Sequence, residues 1–420
     1  MAFHQAYQGP VRQAADRHAD AIGNDRLGKL EAMFEAIQVA VQIGNHVQKQ
    51  LKDPKALQAE SQILKSDASP VTVADLAIQA VILKVLNTVY PEYRIAAEES
   101  AAQLRADPNL FAAVKALAVN YASQNPYVWL QGGSELEDPD DWFNMLDRAA
   151  GLDIDNETET EPDPNEFWVV DPIDGTAAFL RGEQYAINIA LVSNGEEVLS
   201  MIACPRLTWA TTQNPQIALN DTTDFPLSGG CVLYAVKGAG AGIIALTPPI
   251  SPGHLNFYTC LRRVLSPIRS NVPSRLLSCT ATKVSSGHSI VHERVATELN
   301  AIHPHCDLTS WVLRWVALAL GFATYTVWVY KEADRFAKIW DHAGAMLLFT
   351  ELGGKITDLD GKQIDLNVGS AGRLLSRNRG FVAAPKGETF DRVFKAVKEA
   401  LREAEDMELV ELGSSPDDKS

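Results

Sequence analysis

The segment Trp168-Val-Val-Asp171-Pro172-Ile173-Asp174-Gly175-Thr176 holds two carboxylates three residues apart across a proline. Phe167 to Val170 is a continuous apolar run, which suggests a buried strand that delivers Asp171 to a sheet edge. Pro172 fixes the backbone there and blocks continuation of the ladder. Two close carboxylates repel each other and favour a cation between them. Hard oxygen ligands suit magnesium, which keeps several waters and also takes substrate phosphate. Gly175-Thr176 then enters a short helical turn, whose unpaired N–H groups favour an anion. Alone, the segment could equally be an Asp-rich turn that caps a helix.

It has companions. Glu98-Glu99-Ser100 ends a strand candidate, Tyr93 to Ala97. Ser69-Pro-Val-Thr72-Val-Ala-Asp75 opens a helix candidate, Thr72 to Leu86. Asp341, in Ile339-Trp-Asp-His-Ala-Gly-Ala345, opens an apolar helix to Leu352 that Gly353-Gly354 closes. Each alone has a structural explanation: an N-cap for Asp341, a solvent-facing helix acid for Asp75, a surface glutamate for Glu98.

The elements that must position these acids read as follows. Leu30, Met33, Phe34, Ile37, Val41 and Ile43 recur at helical spacing between Leu27 and Leu51. Leu110 to Tyr121 is a further helix candidate. Ala186 to Val192 and Val198 to Ala203 read as strands joined by Asn194-Gly195, and Cys231 to Val236 as another before the glycine-rich Lys237 to Gly242. Strand near Leu276, helix from Glu293 to Leu299, helix from Trp311, strand from Tyr325 to Val329 and helix from Asp341 alternate, so this part forms an α/β layer. The apolar run Trp311 to Tyr330 has the length of a membrane span, but Arg314 and Gly321 interrupt it, and a buried helix running into a buried strand explains it better.

The 420 residues read as an N-terminal extension (1–26), an α+β part with most of these acids (27–270), an α/β part with Asp341 (271–405), and a polar tail (406–420). The net charge is −16, which argues against nucleic-acid polymers and acidic membranes as partners. Between Glu135 and Glu166 stand 13 acids and one base, Arg148, read as a solvated insertion near 101–166. The five cysteines show no CxxC spacing, which fits a reducing, cytoplasmic compartment and no zinc. The N-terminus has no apolar stretch of the secretory kind.

In this order the acidic motifs resemble the inositol-monophosphatase superfamily of metal-dependent, lithium-sensitive phosphatases, over roughly residues 30 to 400. Ser69 to Asp75, Phe179-Leu-Arg-Gly-Glu-Gln-Tyr185, Cys204-Pro205, Gly287-His288-Ser289 and Lys338 to His342 look most like the fungal and plant 3′(2′),5′-bisphosphate nucleotidases, which remove the 3′-phosphate of 3′-phosphoadenosine 5′-phosphate. The resemblance implies a layered αβαβα sandwich, two or three magnesium ions per site and a small phosphorylated substrate, with a monomer as the family expectation. Glu98, Asp171 and the Ile173 carbonyl would hold a first metal, and Asp171, Asp174 and Asp341 a second. Glu98 with Asp75 would reach a third through water. Asp75 and Thr176 would form a hydrogen-bonded pair that takes a proton from the attacking water. Gly175 and Thr176 would cradle the scissile phosphate, with His288, Arg314 and Asp341 as further substrate contacts.

The pocket departs from the nucleotidase pattern. Ala177-Ala178 stands for Lys-Gly, Ala97 for a glycine, Ser310 to Arg314 for Asp-Ser-Gln-Ala-Lys, and Trp328 for a substrate-binding arginine. Arg314 can replace the lysine as a phosphate contact, whereas an indole cannot neutralise a phosphate. Trp311 and Trp328 therefore predict a more aromatic, less basic pocket, and a diverged enzyme for a more apolar phosphate or diphosphate stays open. So do an inositol polyphosphate or sugar bisphosphate substrate, ionisation of a diphosphate without hydrolysis, and a non-catalytic metal-binding scaffold.

Overall fold

The computed structural model describes residues 20–52, 70–123, 138–151, 166–207, 218–222, 230–246, 264–266, 275–332, 335–369, 373–374 and 380–413. Most of the expected N-terminal extension, much of the acidic stretch and the end of the tail lie outside them.

The first helix is α1 (Asn24–Lys52), as its apolar spacing predicts. Helix α2 (Pro70–Val89) is apolar on almost every face, and such helices belong inside a fold. From Thr72 to Val89 it is long and apolar enough to cross a membrane, but 72% of that window is buried in the protein. Asp75 and Gln79 are the polar groups buried among its aliphatic side chains, one turn apart. Gln79 grips the turn after strand β1 (Arg94–Ala97): its Nε2 donates to the Glu99 carbonyl at 2.6 Å, and the Glu99 N–H donates to its Oε1 at 2.9 Å.

Helices α3 (Ala102–Ala106), α4 (Pro108–Ala122) and α5 (Pro139–Ala150) follow. Asp107 caps α4 by accepting the N–H groups of Asn109 and Leu110. Helix α5 lies inside the acidic stretch read as a solvated insertion, and it corrects that reading. Trp142, Leu146 and Ala149 share one buried face, while the acids occupy the rest.

Strands β2 (Glu166–Asp174), β3 (Ala186–Ser193), β4 (Glu196–Cys204), β5 (Cys231–Val236) and β6 (Gly240–Ala245) join β1 in one sheet, in chain order. Strands β1 and β2 pair in parallel, and the other pairs are antiparallel. The β3–β4 hairpin turns on Asn194 and Gly195, both at positive φ, as a tight hairpin demands. The sheet is covered on both faces, so its strands are apolar throughout. Trp168 and Val170 face a core shared with α1 and α2, and Phe167 and Val169 face a second core.

That second core contains α8 (Trp311–Ala319) and α9 (Ala345–Glu351), behind which lies a second sheet in the order β7 (Thr326–Val329), β11 (Gly380–Pro385), β8 (Gly354–Thr357). Short β9 (Val368–Gly369) and β10 (Arg373–Leu374) pair separately. On the far face, α7 (Ser289–Glu298) and α10 (Glu388–Gly413) close a third core. The five layers are the expected αβαβα sandwich; the small α6 (Thr176–Leu180) follows β2 and belongs to the site. The apolar run from Trp311 is a buried helix leading into a buried strand, as predicted.

The Gln79 grip gives a first prediction. Gln79→Leu leaves two partly buried backbone groups of Glu99 without partners and is expected to cost about 2 kcal/mol. The midpoint of urea unfolding reads this, and an unmoved midpoint would show that water replaces the side chain.

Candidate metal centre and substrate cavity

The parallel register of β1 and β2 sets Ala97 beside Val170, so Glu98, just past the end of β1, follows in step with Asp171, which stays in β2. Asp174 reaches the same place by an irregularity. In an unbroken strand, residues three apart point to opposite faces. Between Asp171 and Asp174 the register moves only from Asn188 to Ala186, so β2 carries one residue more than β3. This bulge reverses the parity and aims both carboxylates at one spot. Pro172 sits where the ladder is already interrupted, and a missing N–H is tolerated there. The expectation that Pro172 ends the ladder is corrected: pairing resumes at Asp174.

Asp341 comes from the other side of the sheet's C-terminal edge. It ends a three-residue 3₁₀ turn, Ile339–Asp341, and α9 starts only at Ala345, later than the expected helix from Asp341. Gly344, at φ +88°, makes the break, and a Cβ there would lie 2.9 Å from the Asn188 side-chain oxygen. Asn188 Nδ2 donates to the carbonyls of Trp340 at 2.9 Å and Ala343 at 2.7 Å. Glu197 on β4 accepts the N–H groups of Gly344 at 2.5 Å and Leu347 at 3.2 Å. Two sheet residues thus fix the loop that presents Asp341. Carboxylate oxygens of Asp171, Asp174 and Asp341 lie within 4.8 Å of one another.

Asp171 is 1% exposed, and its Oδ1 is buried without a hydrogen-bond partner. Burial first, then the charges of Glu98, Asp174 and Asp341, hold its carboxyl well above the ordinary range. Asp341 is raised for the same reasons, burial first and then Asp174 and Glu98. Asp174 is raised by burial, while the Ser310 hydroxyl and the Val312 N–H, both 2.5 Å away, oppose the rise. Glu98 is exposed by surface area, although protein crowds its carboxyl. Burial and the charges of Glu99 and Asp174 push it up to about 7, against Lys338. An orphaned carboxylate oxygen facing two further carboxylates fits a hard divalent cation, and an all-oxygen donor set fits magnesium.

The remaining predicted residues fall into place as follows. Asp75 is buried, and burial with the charges of Glu99 and Glu98 raises its carboxyl well above the ordinary range. The expected Asp75–Thr176 hydrogen bond is replaced by another: the Thr176 hydroxyl donates to the Ile173 carbonyl at 3.2 Å. Thr176 starts helix α6 (Thr176–Leu180), capped by Gly175 at φ +93°. A Cβ at Gly175 would lie 3.1 Å from Ser310 Cβ, so the glycine lets α6 and α8 approach.

Beside Asp341 opens a cavity of about 450 Å³, lined among others by Trp311, Arg314, Tyr330, Arg335, Phe336 and Lys338. Arg314 is fully buried in its wall, its guanidinium 4.1 Å from the Trp311 ring and 5.1 Å from the Trp328 ring. Its Nε and Nη2 donate to the carbonyls of Leu308 and Thr309, and its Nη1 is buried with no hydrogen-bond partner among the described residues. His288 is not among the lining residues; its Nδ1 accepts the Val291 N–H at 3.5 Å and caps α7. Trp328 is fully buried and turned into the second core, so it does not shape the cavity. Arg335 and Lys338, from the segment after β7, join Arg314 as the cations of the cavity lining.

Ser310, Asn188, Glu197 and Arg335 were not singled out from sequence. Ser310 could have been read as the cap of α8, for Ser is a preferred N-cap residue before an apolar run.

The profile of the inositol monophosphatase family matches residues 29–402. The chain belongs to that family. A 3′(2′),5′-bisphosphate nucleotidase of Emericella nidulans is 32% identical over 353 residues, covering 82% of this chain and 92% of its own. A probable nucleotidase of the same name from Arabidopsis thaliana is 31% identical over 386 residues, covering 89% and 95%. A solved inositol monophosphatase of Staphylococcus aureus MSSA476 aligns over 89% of this chain and 97% of its own, at 14% identity and a TM-score of 0.48. As a member of the inositol monophosphatase family, the chain is a metal-dependent phosphatase.

The raised acids set a pH dependence. The folded chain holds these protons more tightly than the unfolded chain. Stability of the metal-free protein is therefore lost as pH rises from about 4.5 toward about 7, the window of Glu98. Added divalent cation restores it. Melting temperature across this window, with chelator and with magnesium, measures both effects; a melting temperature indifferent to metal would remove these carboxylates as the cation site.

Proposed function

We propose that this phosphatase is a magnesium-dependent 3′(2′),5′-bisphosphate nucleotidase that converts 3′-phosphoadenosine 5′-phosphate to AMP. The observation that carries the reading is the cavity beside Asp341, which combines the cations Arg314, Arg335 and Lys338 with the rings of Trp311, Tyr330 and Phe336. Cations match phosphates, and aromatic faces match a nucleobase. The named activity of the relatives from Emericella nidulans and Arabidopsis thaliana points the same way.

Glu98, Asp171, Asp174, Asp341 and the Ile173 carbonyl would hold the metal, two or three ions in all. Magnesium bound there supplies positive charge to the phosphoryl oxygens and acidifies water. The chain's own residues do the rest. Gly175 and Thr176 orient the scissile phosphate at the start of α6. Asp75, whose carboxyl burial and its acidic neighbours make more basic than usual, accepts the proton of the attacking water. The water oxygen forms a bond to phosphorus, the bond to the ribose 3′-oxygen breaks, that oxygen takes a proton from solvent water to become the 3′-hydroxyl of AMP, and inorganic phosphate leaves. Arg314, buried in the cavity wall, adds positive charge beside the substrate. The proposal extends to inhibition by lithium and to a cytoplasmic location.

Phosphate release with magnesium tests it. The panel holds 3′-phosphoadenosine 5′-phosphate, AMP, inositol 1,4-bisphosphate, a prenyl phosphate and a prenyl diphosphate. The first should be fastest and lithium-sensitive, and Asp174→Asn should slow it on the order of 100-fold or more. Preference for a prenyl compound would move the substrate to the apolar class, and silence across the panel would refute the nucleotidase reading.

A further inference from the structure

Lys338 and Arg335 both line the cavity beside Asp341, and they act on different groups. The charge of Lys338 bears on Glu98 and Asp341. The Arg335 guanidinium lies 5.9 Å from the Tyr330 ring, and its charge bears on Tyr330, which also feels Asp341. Arg335 is exposed, and among the described residues no carboxylate pairs with it. Its neighbour in the wall, Arg314, is fixed: two of its nitrogens serve backbone carbonyls, and its guanidinium lies 4.1 Å from the Trp311 ring and 5.1 Å from the Trp328 ring. Strand β7 offers no cation here, because Trp328 points into the core.

A volume of about 450 Å³ lies within the usual range for small-molecule sites, and it leaves room for a substrate whose reacting phosphate sits by the acids while a second anion lies farther out. A guanidinium suits that second anion, since its fork of donors matches phosphate oxygens in pairs. We propose that Arg335 is the specificity-determining residue for the non-scissile phosphate, which it holds at the rim of the cavity over Tyr330. The inference rests on the bisphosphate nucleotidase reading and assigns its second phosphate to a loop residue.

The test is the ratio of kcat/KM for 3′-phosphoadenosine 5′-phosphate to that for adenosine 3′-monophosphate, which lacks the remote phosphate. For Arg335→Gln the ratio is expected to fall on the order of 10-fold, mostly through a higher KM for the bisphosphate. Arg335→Lys should recover part of the fall. A wild type that favours the bisphosphate while Arg335→Gln keeps the same ratio overturns this inference and leaves the nucleotidase reading standing. A wild type that releases phosphate from neither compound overturns the reading and, with it, the role of Arg335.

Discussion

Three carboxylates sit in the seam between two apolar cores, with oxygens inside 4.8 Å of each other and one oxygen of Asp171 sealed from water without a partner. Protein interiors resist such clusters, because each charge loses its solvent and gains a like neighbour. The surrounding structure can be understood as what is needed to keep these groups from moving apart. Two sheets and the helices between them supply a frame that is close-packed on all sides. The repulsion that makes the cluster costly is also what gives it affinity for a cation.

The holding is done by groups that carry no chemistry of their own. A one-residue bulge in β2 brings Asp174 to the face of Asp171. Gln79 ties the Glu98 turn to the helix that carries Asp75. Asn188 and Glu197 reach from the sheet to the Asp341 loop. Ser310 and the start of α8 grip Asp174. Each acid is positioned by a different element, and each tether is buried or nearly so, where hydrogen bonds hold geometry best.

Much of this was legible in the sequence. The acids announced themselves because paired carboxylates beside a proline and a glycine are unusual at the end of an apolar run. The buried strands and the Trp311 helix followed from hydrophobic continuity. The bulge was not legible, since its signal is a register shift that appears only once β3 is paired. Helix α5 was hidden by its own acids, which masked the spacing of Trp142, Leu146 and Ala149. Trp328 misled because a strand position does not declare its face until the second sheet is placed. Arg335 and Lys338 were overlooked as pocket cations for the same reason: loop residues gain meaning from where the loop closes.

The parallel pairing of β1 with β2 has a consequence for the acidic segment between them. Antiparallel neighbours can be joined by two residues, but parallel neighbours need a crossover that carries the chain back along the full strand. The path from Ser100 to Glu166 is that crossover, and α3, α4 and α5 are its described parts. Shortening it to a simple hairpin would reverse β2 and turn Asp171 and Asp174 toward the opposite end of the sheet from Glu98. What reads as an insertion in composition is, in topology, the segment that lets the two halves of the metal site face each other.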